Sequence, residues 1–374
     1  MKKLRMLLLV VLTLAVALSC SVGFASEDAI KLGGMPADSS VAFFQECAKG
    51  MEAGAAAFGV EIDIQYTGRD LGKELSLTET YLSQGYDGLL MNCSDSSAVT
   101  GVLSKAQQAG VPMVCVDTVP DQTDLATSTV TSDNYSGGKA AGELMMELLP
   151  DGGDIIMTKL NFSSVAMDDR YNGFMDAIEG SNINIIDTVE QDGTREDTLQ
   201  KITPMLQKYT DLVGVFCSQG DPAIGVLSAV NSAKLDEQIT IISYDVESEV
   251  AAAIAEGSAI KGGVAQFPYA MAYLGVQQCL KAINGEEVEN VIALPVLPVT
   301  QDNIESYQED PIQFLEDVGG IALPTELQKQ TINISRRPVL WRAAAYICNT
   351  EPQLLRRCGE ADTKIARKIA GNNL

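Results

Sequence analysis

The stretch VPMVCVDTVPD, residues 111–121, is an apolar run that ends on a carboxylate, Asp117. A second stretch, ITIISYDVESE at 239–249, ends its apolar run in the same way on Asp245. Continuous apolar runs of this kind are typical of parallel strands that are buried on both faces. Ligands of open parallel α/β sheets bind outside the carboxyl ends of the strands, where both aspartates are therefore predicted to lie. The alternative is that each aspartate caps the turn or helix that follows it.

Strand-like and helix-like segments alternate along the chain from about residue 29. The apolar runs lie at 29–34, 60–66, 86–92, 112–117, 153–159, 183–189, 212–217 and 239–245. Amphipathic segments of helical length lie between nearly all of them, at 40–58, 71–84, 96–109, 134–148, 168–180, 195–209 and 221–234. This alternation predicts an α/β protein built from parallel βαβ units.

The chain has more predicted strands than one small sheet can hold. We therefore expect two Rossmann-like lobes, with the break near Thr131. Two lobes that face each other would bring Asp117 and Asp245 to opposite walls of one cleft. A carboxylate accepts hydrogen bonds from two hydroxyl groups at once, and such charge-assisted bonds are stronger than neutral ones. The pair therefore favours a ligand that is rich in hydroxyl groups.

The first 25 residues have the pattern of a secretory signal peptide. A basic start, MKKLR, precedes the apolar run MLLLVVLTLAVALS, and small residues precede a cleavage site after Ala25. Two alternatives stay open, namely lipidation at Cys20, which would tether the N-terminus to a membrane, and an uncleaved anchor. The sequence thus predicts an exported protein of the periplasm or of the outer face of the cytoplasmic membrane.

Composition and charge exclude several classes of function. The formal net charge is −24, which disfavours nucleic acid and anionic lipid as partners. The chain has eight cysteines, without any CxxC spacing, and it has no histidine. Without histidine, the Ser-His-Asp and Cys-His nucleophiles and histidine metal sites are excluded. We therefore predict no enzymatic activity, no catalytic residue, no cofactor and no metal.

Eight stretches in order then point to a family. They are FFQECAKGMEAGAAAFG (43–59), GYDGLLMNCSDSSAV (85–99), VPMVCVD (111–117), SDNYSGGKAAGE (132–143), RYNGFMDAI (170–178), VFCSQGDPAIG (215–225), IISYDVESE (241–249) and GVAQFPYAMAYLG (263–275). Together they resemble the periplasmic sugar-binding proteins of the ribose-binding type, which are the receptors of ABC importers and have the type I periplasmic binding protein fold.

The resemblance implies a domain organisation and a function. The N-terminal lobe would span 26–131 with a return segment at about 267–290, and the C-terminal lobe 132–266 with about 291–305. Three crossings would form the hinge, and the lobes would close on a sugar or a sugar-like polyhydroxylated molecule. The partner would be the transmembrane permease subunit of an ABC importer. The alternative is a sensory receptor for chemotaxis or for a two-component system.

The resemblance also implies ligand-binding roles for particular residues. Phe43 and Phe44 would stack on apolar faces of the ligand, although packing of their helix is the alternative. Hydrogen bonds to ligand hydroxyls would come from Asp117, Asp245 and Gln266. Gln219 stands where the family usually has an asparagine.

The chain departs from the ribose-type pattern at two arginine positions. Thr118 stands where these proteins carry an arginine after the strand-end aspartate, and the second arginine position is matched by Asp168 and Asp169. Without these donors we expect a more acidic site and a ligand with more donors than acceptors. A polyol, an amino sugar, a furanose or an autoinducer-2-like diol fits better than plain ribose. Asp168 would face this ligand or, alternatively, cap the following helix.

Residues 308–374 lie beyond the usual end of the family and form a C-terminal extension of unknown role. This segment is net basic and contains the single tryptophan, Trp341. A docking extension, a disordered end and a misjoined reading frame are the alternatives that the sequence leaves open.

Overall fold

The computed structural model describes residues 29–161 and 164–320, which form two parallel sheets flanked by helices. The strands of the first lobe are β1 (Lys31–Met35), β2 (Glu61–Ile64), β3 (Gly88–Met91), β4 (Met113–Val116), β5 (Ser128–Ser132) and β11 (Val291–Leu294). Its helices are α1 (Ala42–Phe58), α2 (Leu71–Ser83), α3 (Thr100–Ala109) and α9 (Pro268–Ile283). The strand order is β11-β5-β4-β3-β1-β2, and every pairing is parallel.

The second lobe repeats this plan. Its strands are β6 (Gly153–Leu160), β7 (Ile183–Gln191), β8 (Gly214–Cys217), β9 (Thr240–Tyr244), β10 (Ile260–Ala265) and β12 (Leu297–Thr300). Its helices are α4 (Asn134–Leu148), α5 (Val165–Ile178), α6 (Arg195–Lys208), α7 (Gly220–Ala233), α8 (Ser248–Ala255), α10 (Ile304–Glu309) and α11 (Pro311–Gly319). The order is β12-β10-β9-β8-β6-β7, with β12 antiparallel. The predicted fold class, two parallel α/β lobes, is confirmed.

The central strands are short and apolar because helices cover both of their faces. All four residues of β3, β4 and β8 are buried. The backbone N–H and C=O groups of these strands pair with those of neighbouring strands. The apolar side chains can therefore be buried on both faces of the sheet. The sequence signal of continuous apolar runs is therefore reliable here.

The chain crosses between the lobes three times, after β5, after β10 and between β11 and β12. The C-terminal lobe was expected to resume at about residue 291, and this boundary is wrong. β11 pairs with β5 in the first sheet, Val291 opposite Thr129, so the third crossing lies at 295–296. The apolar run at 291–294 extends the first sheet by one further strand before the chain leaves it.

Capping residues fix the helix ends near the hinge. Asp133 caps α4, since its carboxylate accepts a hydrogen bond from the backbone N–H of Ser136. Gly110 ends α3 in the left-handed conformation that favours glycine. Helix α5 was expected to begin at residue 168, but it begins at Val165, because the extended backbone of Ser164 forms its N-cap.

The predicted signal segment at 1–25, with Cys20, lies outside the described residues, and so does the chain from 321 onwards with Trp341. Across 29–161 and 164–320, no helix has both the length and the hydropathy needed to cross a bilayer. The first part of the predicted C-terminal extension is helical, because α11 starts on a proline and is capped by Asp310, which accepts from two backbone N–H groups.

Leu315→Ala is expected to lower the free energy of unfolding by about 2–3 kcal/mol, because Leu315 is 0% exposed and its loss leaves a cavity. Urea unfolding followed by circular dichroism measures this difference. Val318→Ala on the same helix is the control, since Val318 is 56% exposed and should cost at most about 0.5 kcal/mol. An unchanged midpoint for Leu315→Ala would show that α11 is not part of the folded unit.

Candidate functional site

Asp117 and Asp245 occupy the same position in the two lobes. Each follows its strand directly, β4 or β9, and each has a left-handed backbone, with φ of 73° and 79°. The N–H of Asp117 donates to Val130 O at 2.8 Å, and that of Asp245 donates to Val264 O at 2.9 Å. Non-glycine residues seldom adopt this conformation, although aspartate tolerates it better than most. The paired strain marks both strand ends as specialised positions.

Side-chain hydroxyls hold the carbonyl groups of these two turns. Thr131 donates to Asp117 O at 2.6 Å, and Ser243 donates to Asp245 O at 2.8 Å. The capping alternative finds little support for Asp117, because the next helix, α4, is capped by Asp133. Asp245 does not cap the helix that follows it, because the N-cap of α8 is Glu247.

The Asp245 carboxylate is fixed from inside the second lobe. Gln266 Nε2 donates to its Oδ1 at 2.5 Å, and Arg170 Nη1 lies 3.9 Å from its Oδ2. Asp245 is only 7% exposed, so both partners act in a largely desolvated environment. The Asp117 carboxylate has a single weak contact within its own lobe, the hydroxyl of Thr118 at 3.5 Å. Asp117 therefore keeps most of its acceptor capacity for a ligand.

Arg170 is a buried cation that the sequence reasoning did not assign to the site. It is 2% exposed, and its Nε donates to Asn134 Oδ1 while its Nη1 donates to Ser218 O, both at 2.9 Å. The guanidinium carbon lies 3.8 Å from the ring centroid of Tyr244. Arg170 occupies neither of the two arginine positions of the ribose-type pattern, and it adds a buried cation next to a site that was expected to be more acidic. Two of its five N–H donors are used by Asn134 and Ser218, and its position beside Asp245 suits it to orient that carboxylate.

Burial dominates the acidity of this region. It raises the pKa of Asp117 to about 6, against the lowering effect of Arg170, and the charge of Asp245 raises that pKa further. Burial also raises the pKa of Asp245, while Arg170 and Gln266 oppose the shift. The pKa of Glu247 lies well above its usual range, first because of burial and then because of Asp245. These three raised pKa values arise because the carboxyl groups are desolvated close together, with Arg170 as a buried cation beside them.

Asp117→Asn is expected to stabilise the ligand-free protein by roughly 1–2 kcal/mol at pH 7.5, and not at pH 4. The folded-state pKa of about 6 exceeds that of the unfolded chain, so ionisation opposes folding as the pH rises from about 4 to 6. The side chain keeps some solvent contact, which reduces the effect. Urea unfolding at both pH values tests this, with the exposed Asp121→Asn as control. A less stable Asp117→Asn protein at pH 7.5 would contradict it.

The two phenylalanines of α1 have different surroundings. Phe43 is 7% exposed, while Phe44 is half-buried with the guanidinium of Arg69 at 5.4 Å from its ring centroid. Their rings meet edge to face, with centroids 5.3 Å apart. Phe43 thus serves the core and the cavity wall together, so packing and ligand contact are compatible roles for it.

A cavity of about 430 Å³ lies at the junction of the lobes. It brings together Phe43, Asp245 and Gln266, three of the predicted site residues. The other lining residues come from the start of α1, the loops after β9 and β10, and the C-terminal helices: Ala42, Glu46, Val246, Glu247, Ser248, Ala251, Phe267, Pro268, Tyr269, Tyr307, Gln308, Pro311 and Ile312. This volume suits a small organic molecule.

Of the predicted site residues, Phe44 and Asp117 do not line this cavity, and neither do Gln219 and Asp168. Gln219 precedes α7, and its buried Oε1 has no hydrogen-bond partner among the described residues. Asp168 lies in the first turn of α5, with its carboxylate 54% exposed and 3.7 Å from Lys159 Nζ. Since Ser164 is the N-cap, the alternative that Asp168 caps this helix is wrong. The ligand-binding roles of Gln219 and Asp168 stay predictions.

Sequence reasoning missed two further polar residues at strand ends. Asn92 directly follows β3 and is 0% exposed; its Nδ2 donates to Val116 O at 2.9 Å, and its Oδ1 has no partner among the described residues. Gln191 ends β7, and its buried Nε2 likewise has no partner there. The rule that singled out Asp117 also applies to Asn92, which is a polar residue at the carboxyl end of a parallel strand.

These features define a two-lobed α/β binding protein with its polar strand ends directed at the junction of the lobes. The model of the periplasmic binding protein domain family matches residues 33–287, and the chain belongs to this family.

Similar proteins are ribose import binding proteins and a solved solute-binding protein. The ribose import binding protein RbsB of Bacillus subtilis is 29% identical over 259 residues, which is 69% of this chain and 83% of that protein. The protein of the same name from Haemophilus influenzae is 27% identical over 301 residues, 80% of this chain and 100% of that protein. An ABC transporter solute-binding protein from Mycobacterium smegmatis with bound glycerol is 27% identical, with a TM-score of 0.69, covering 74% of this chain and 96% of that chain.

Proposed function

We propose that this protein is an exported receptor that binds a sugar or a sugar-like polyhydroxylated molecule between its lobes and delivers it to the permease of an ABC importer. The observation that carries the proposal is the pair of left-handed strand-end aspartates, one in each lobe. Binding would close the hinge, and the closed form would be the one that the permease recognises. The names of the relatives, ribose import binding proteins, support this class of ligand and partner.

The polar groups at the strand ends support hydroxyl recognition. Asp117 offers free acceptor capacity, and Asn92 Oδ1 and Gln219 Oε1 are buried acceptors without partners among the described residues. Gln191 Nε2 is a buried donor that also has no partner among the described residues. A hydroxyl group both donates and accepts, so one class of ligand satisfies all of these groups. Apolar contact would come from Phe43 and Phe44.

Ribose itself fits the site less well than other polyhydroxylated molecules do. Thr118 replaces the arginine that the ribose-type pattern has after the strand-end aspartate, and Arg170 is engaged with Asn134 and Ser218. The ligand must therefore supply donors to acidic and amide acceptors. Polyols, amino sugars, furanoses and autoinducer-2-like diols meet that condition. A sensory role for the same site stays a prediction from the sequence.

A thermal-shift panel tests the proposal. Pentoses, hexoses, polyols, nucleosides and autoinducer-2 are each added at millimolar concentration to protein that has been unfolded and refolded to remove bound ligand. At least one hydroxylated compound should raise the melting temperature, because a ligand that binds only the folded state stabilises it. If no member does so, the proposed class of ligand is wrong.

We further propose export through the N-terminal segment, with cleavage after Ala25 or lipidation at Cys20 as the two routes. The composition of residues 1–25 carries this proposal. The intact mass of the mature protein tests it, because cleavage after Ala25 gives an unmodified N-terminus and lipidation gives an acylated cysteine. A mature chain that retains Met1 would contradict both routes.

A further inference from the structure

The cavity at the lobe junction has an unusual charge balance. Three carboxyl groups line it, from Glu46, Asp245 and Glu247, and no lysine, arginine or histidine does so among the described residues. Glu46 has a cationic partner on the surface, Lys49, whose Nζ is 2.6 Å from its Oε1. Glu247 has no such partner among the described residues. The cavity therefore offers its contents carboxyl oxygens without a cationic side chain of the described residues beside them.

Glu247 is held against the start of α7 without a counter-ion. Its carboxylate forms no hydrogen bond or ion pair with another side chain of the described residues. A Cβ built at Gly220 would clash with Oε2 of Glu247, so this carboxylate lies directly against the first residue of α7. A carboxylate that is half-buried beside Asp245 costs free energy unless a cation joins it.

Gln266 provides an independent sign of a ligand with donors. It is 5% exposed and lines the same cavity, and its Nε2 is used by Asp245. Its Oε1 is buried and has no hydrogen-bond partner among the described residues. Because a buried acceptor without a partner costs about 1–3 kcal/mol, this oxygen favours a donor in the cavity.

We propose that the ligand carries an ammonium group that lies in this cavity, with Glu247 as its counter-ion and with Asp245 and Gln266 as further acceptors. This inference rests on the proposed function and narrows it to amino sugars and amino polyols. An ammonium group has three donors and no acceptor, which matches the lining of the cavity. Aromatic faces also attract cations, and the rings of Phe43, Phe267, Tyr269 and Tyr307 line the same space.

A metal ion is the rival occupant for an acidic cluster. No group of three or more histidine, cysteine, aspartate or glutamate side chains in the described part of the chain is arranged to hold one. The aromatic rings and the volume of about 430 Å³ match an organic cation better. Calcium and magnesium chloride are included in the test for this reason.

Calorimetric titration of matched pairs tests the inference. D-glucosamine is compared with D-glucose, D-galactosamine with D-galactose, 1-amino-1-deoxy-D-glucitol with D-glucitol, and 2-amino-1,3-propanediol with glycerol. In at least one pair the amine should bind the full-length protein at least about tenfold more tightly than its hydroxyl counterpart. N-acetyl-D-glucosamine, which has no charge, should lose that advantage.

Glu247→Gln separates the ion pair from general binding. This change should lower the affinity for the amine by about tenfold or more, and it should change the affinity for the neutral counterpart by no more than about threefold. Glu256→Gln is the control, because Glu256 is exposed at the end of the same helix, α8, and its loss removes one negative charge away from the cavity. It should leave the affinity for both members of the pair unchanged.

The outcomes distinguish this inference from the proposed function. Neutral sugars or polyols that bind as tightly as their amines overturn the inference and leave the proposed function in place. Equal weakening of both members by Glu247→Gln, or tighter binding of a metal ion than of any amine, also overturns it. Binding of neither series overturns the proposed function and the inference together.

Discussion

Arg170→Met is expected to lower the free energy of unfolding by about 3–5 kcal/mol, because it leaves a buried carboxylate without its cation. Arg170 is 2% exposed, and it faces Asp245 at 3.9 Å from within the second lobe. The change also removes the donors to Asn134 Oδ1 and Ser218 O, which are buried. Methionine fills a similar length but offers no hydrogen bond, so packing alone does not compensate. Chemical denaturation of the ligand-free protein measures the loss.

Arg69→Met is the matched control for this loss. Arg69 also carries a cation near an aromatic ring, but its side chain is 36% exposed and lies 3.9 Å from the carboxylate of Asp38. An exposed pair of this kind contributes at most about 1 kcal/mol. If Arg170→Met costs no more than Arg69→Met, the buried cation is not an anchor of the site. Arg170→Lys should fall between them, since lysine keeps the charge and loses the planar fork.

Asp117→Ala and Asp245→Ala should each weaken ligand binding by about 2–4 kcal/mol, which is roughly 30- to 1000-fold in the dissociation constant. Each change removes a charge-assisted acceptor from a different lobe, so the ligand loses its hold on one wall of the junction. Calorimetric titration with the compound that raises the melting temperature most provides the measurement.

Two further variants sharpen this comparison. Asp121→Ala, at an exposed position of the first lobe, should leave the affinity unchanged. Asp168→Ala discriminates between the ligand role implied by the resemblance and the surface ion pair with Lys159 that the structure shows. Unchanged affinity in both Asp117→Ala and Asp245→Ala would mean that these aspartates serve only the geometry of their turns.

The alternation of apolar runs and amphipathic segments was sufficient to predict two lobes with parallel sheets, but the apolar runs missed four strands, β5, β10, β11 and β12. The sequence of β5, STVTS, contains a single large apolar residue, yet all five residues are buried. Two of its hydroxyl groups have partners elsewhere in the chain, Glu289 O for Ser128 and Asp117 O for Thr131, whereas Thr129 Oγ1 has none among the described residues. A search for apolar runs cannot detect a strand whose polar groups are satisfied by tertiary contacts.

The twin aspartates were predictable because their signal is local, a strand followed directly by a carboxylate. Arg170 was not, because a charged residue on an amphipathic helix is ordinarily exposed. Its burial depends on Tyr244, which lies in β9 far along the chain, and on the close approach of α4 and α5. Gly138 permits that approach, since a Cβ there would clash with the carbonyl oxygen of Arg170.

The start of the C-terminal extension carries a local signal that went unread. Asp310, Pro311 and the glycine pair at 319–320 are an N-cap, a first-turn proline and a C-terminal stop for a helix. The ribose-type pattern ends before this helix, so the resemblance implied no structure for it. Physical signals of helix boundaries thus remain informative where a family resemblance stops.

The central claim is that Asp117 and Asp245 hold a hydroxylated small molecule between the lobes. Mass spectrometry of the small molecules released from protein purified without refolding tests it most directly. The prediction is a polyhydroxylated compound, with an amine according to the further inference, that is present in the wild-type protein and lost from Asp117→Ala and Asp245→Ala. A released ligand without hydroxyl groups, or the same ligand retained by both variants, would contradict the claim.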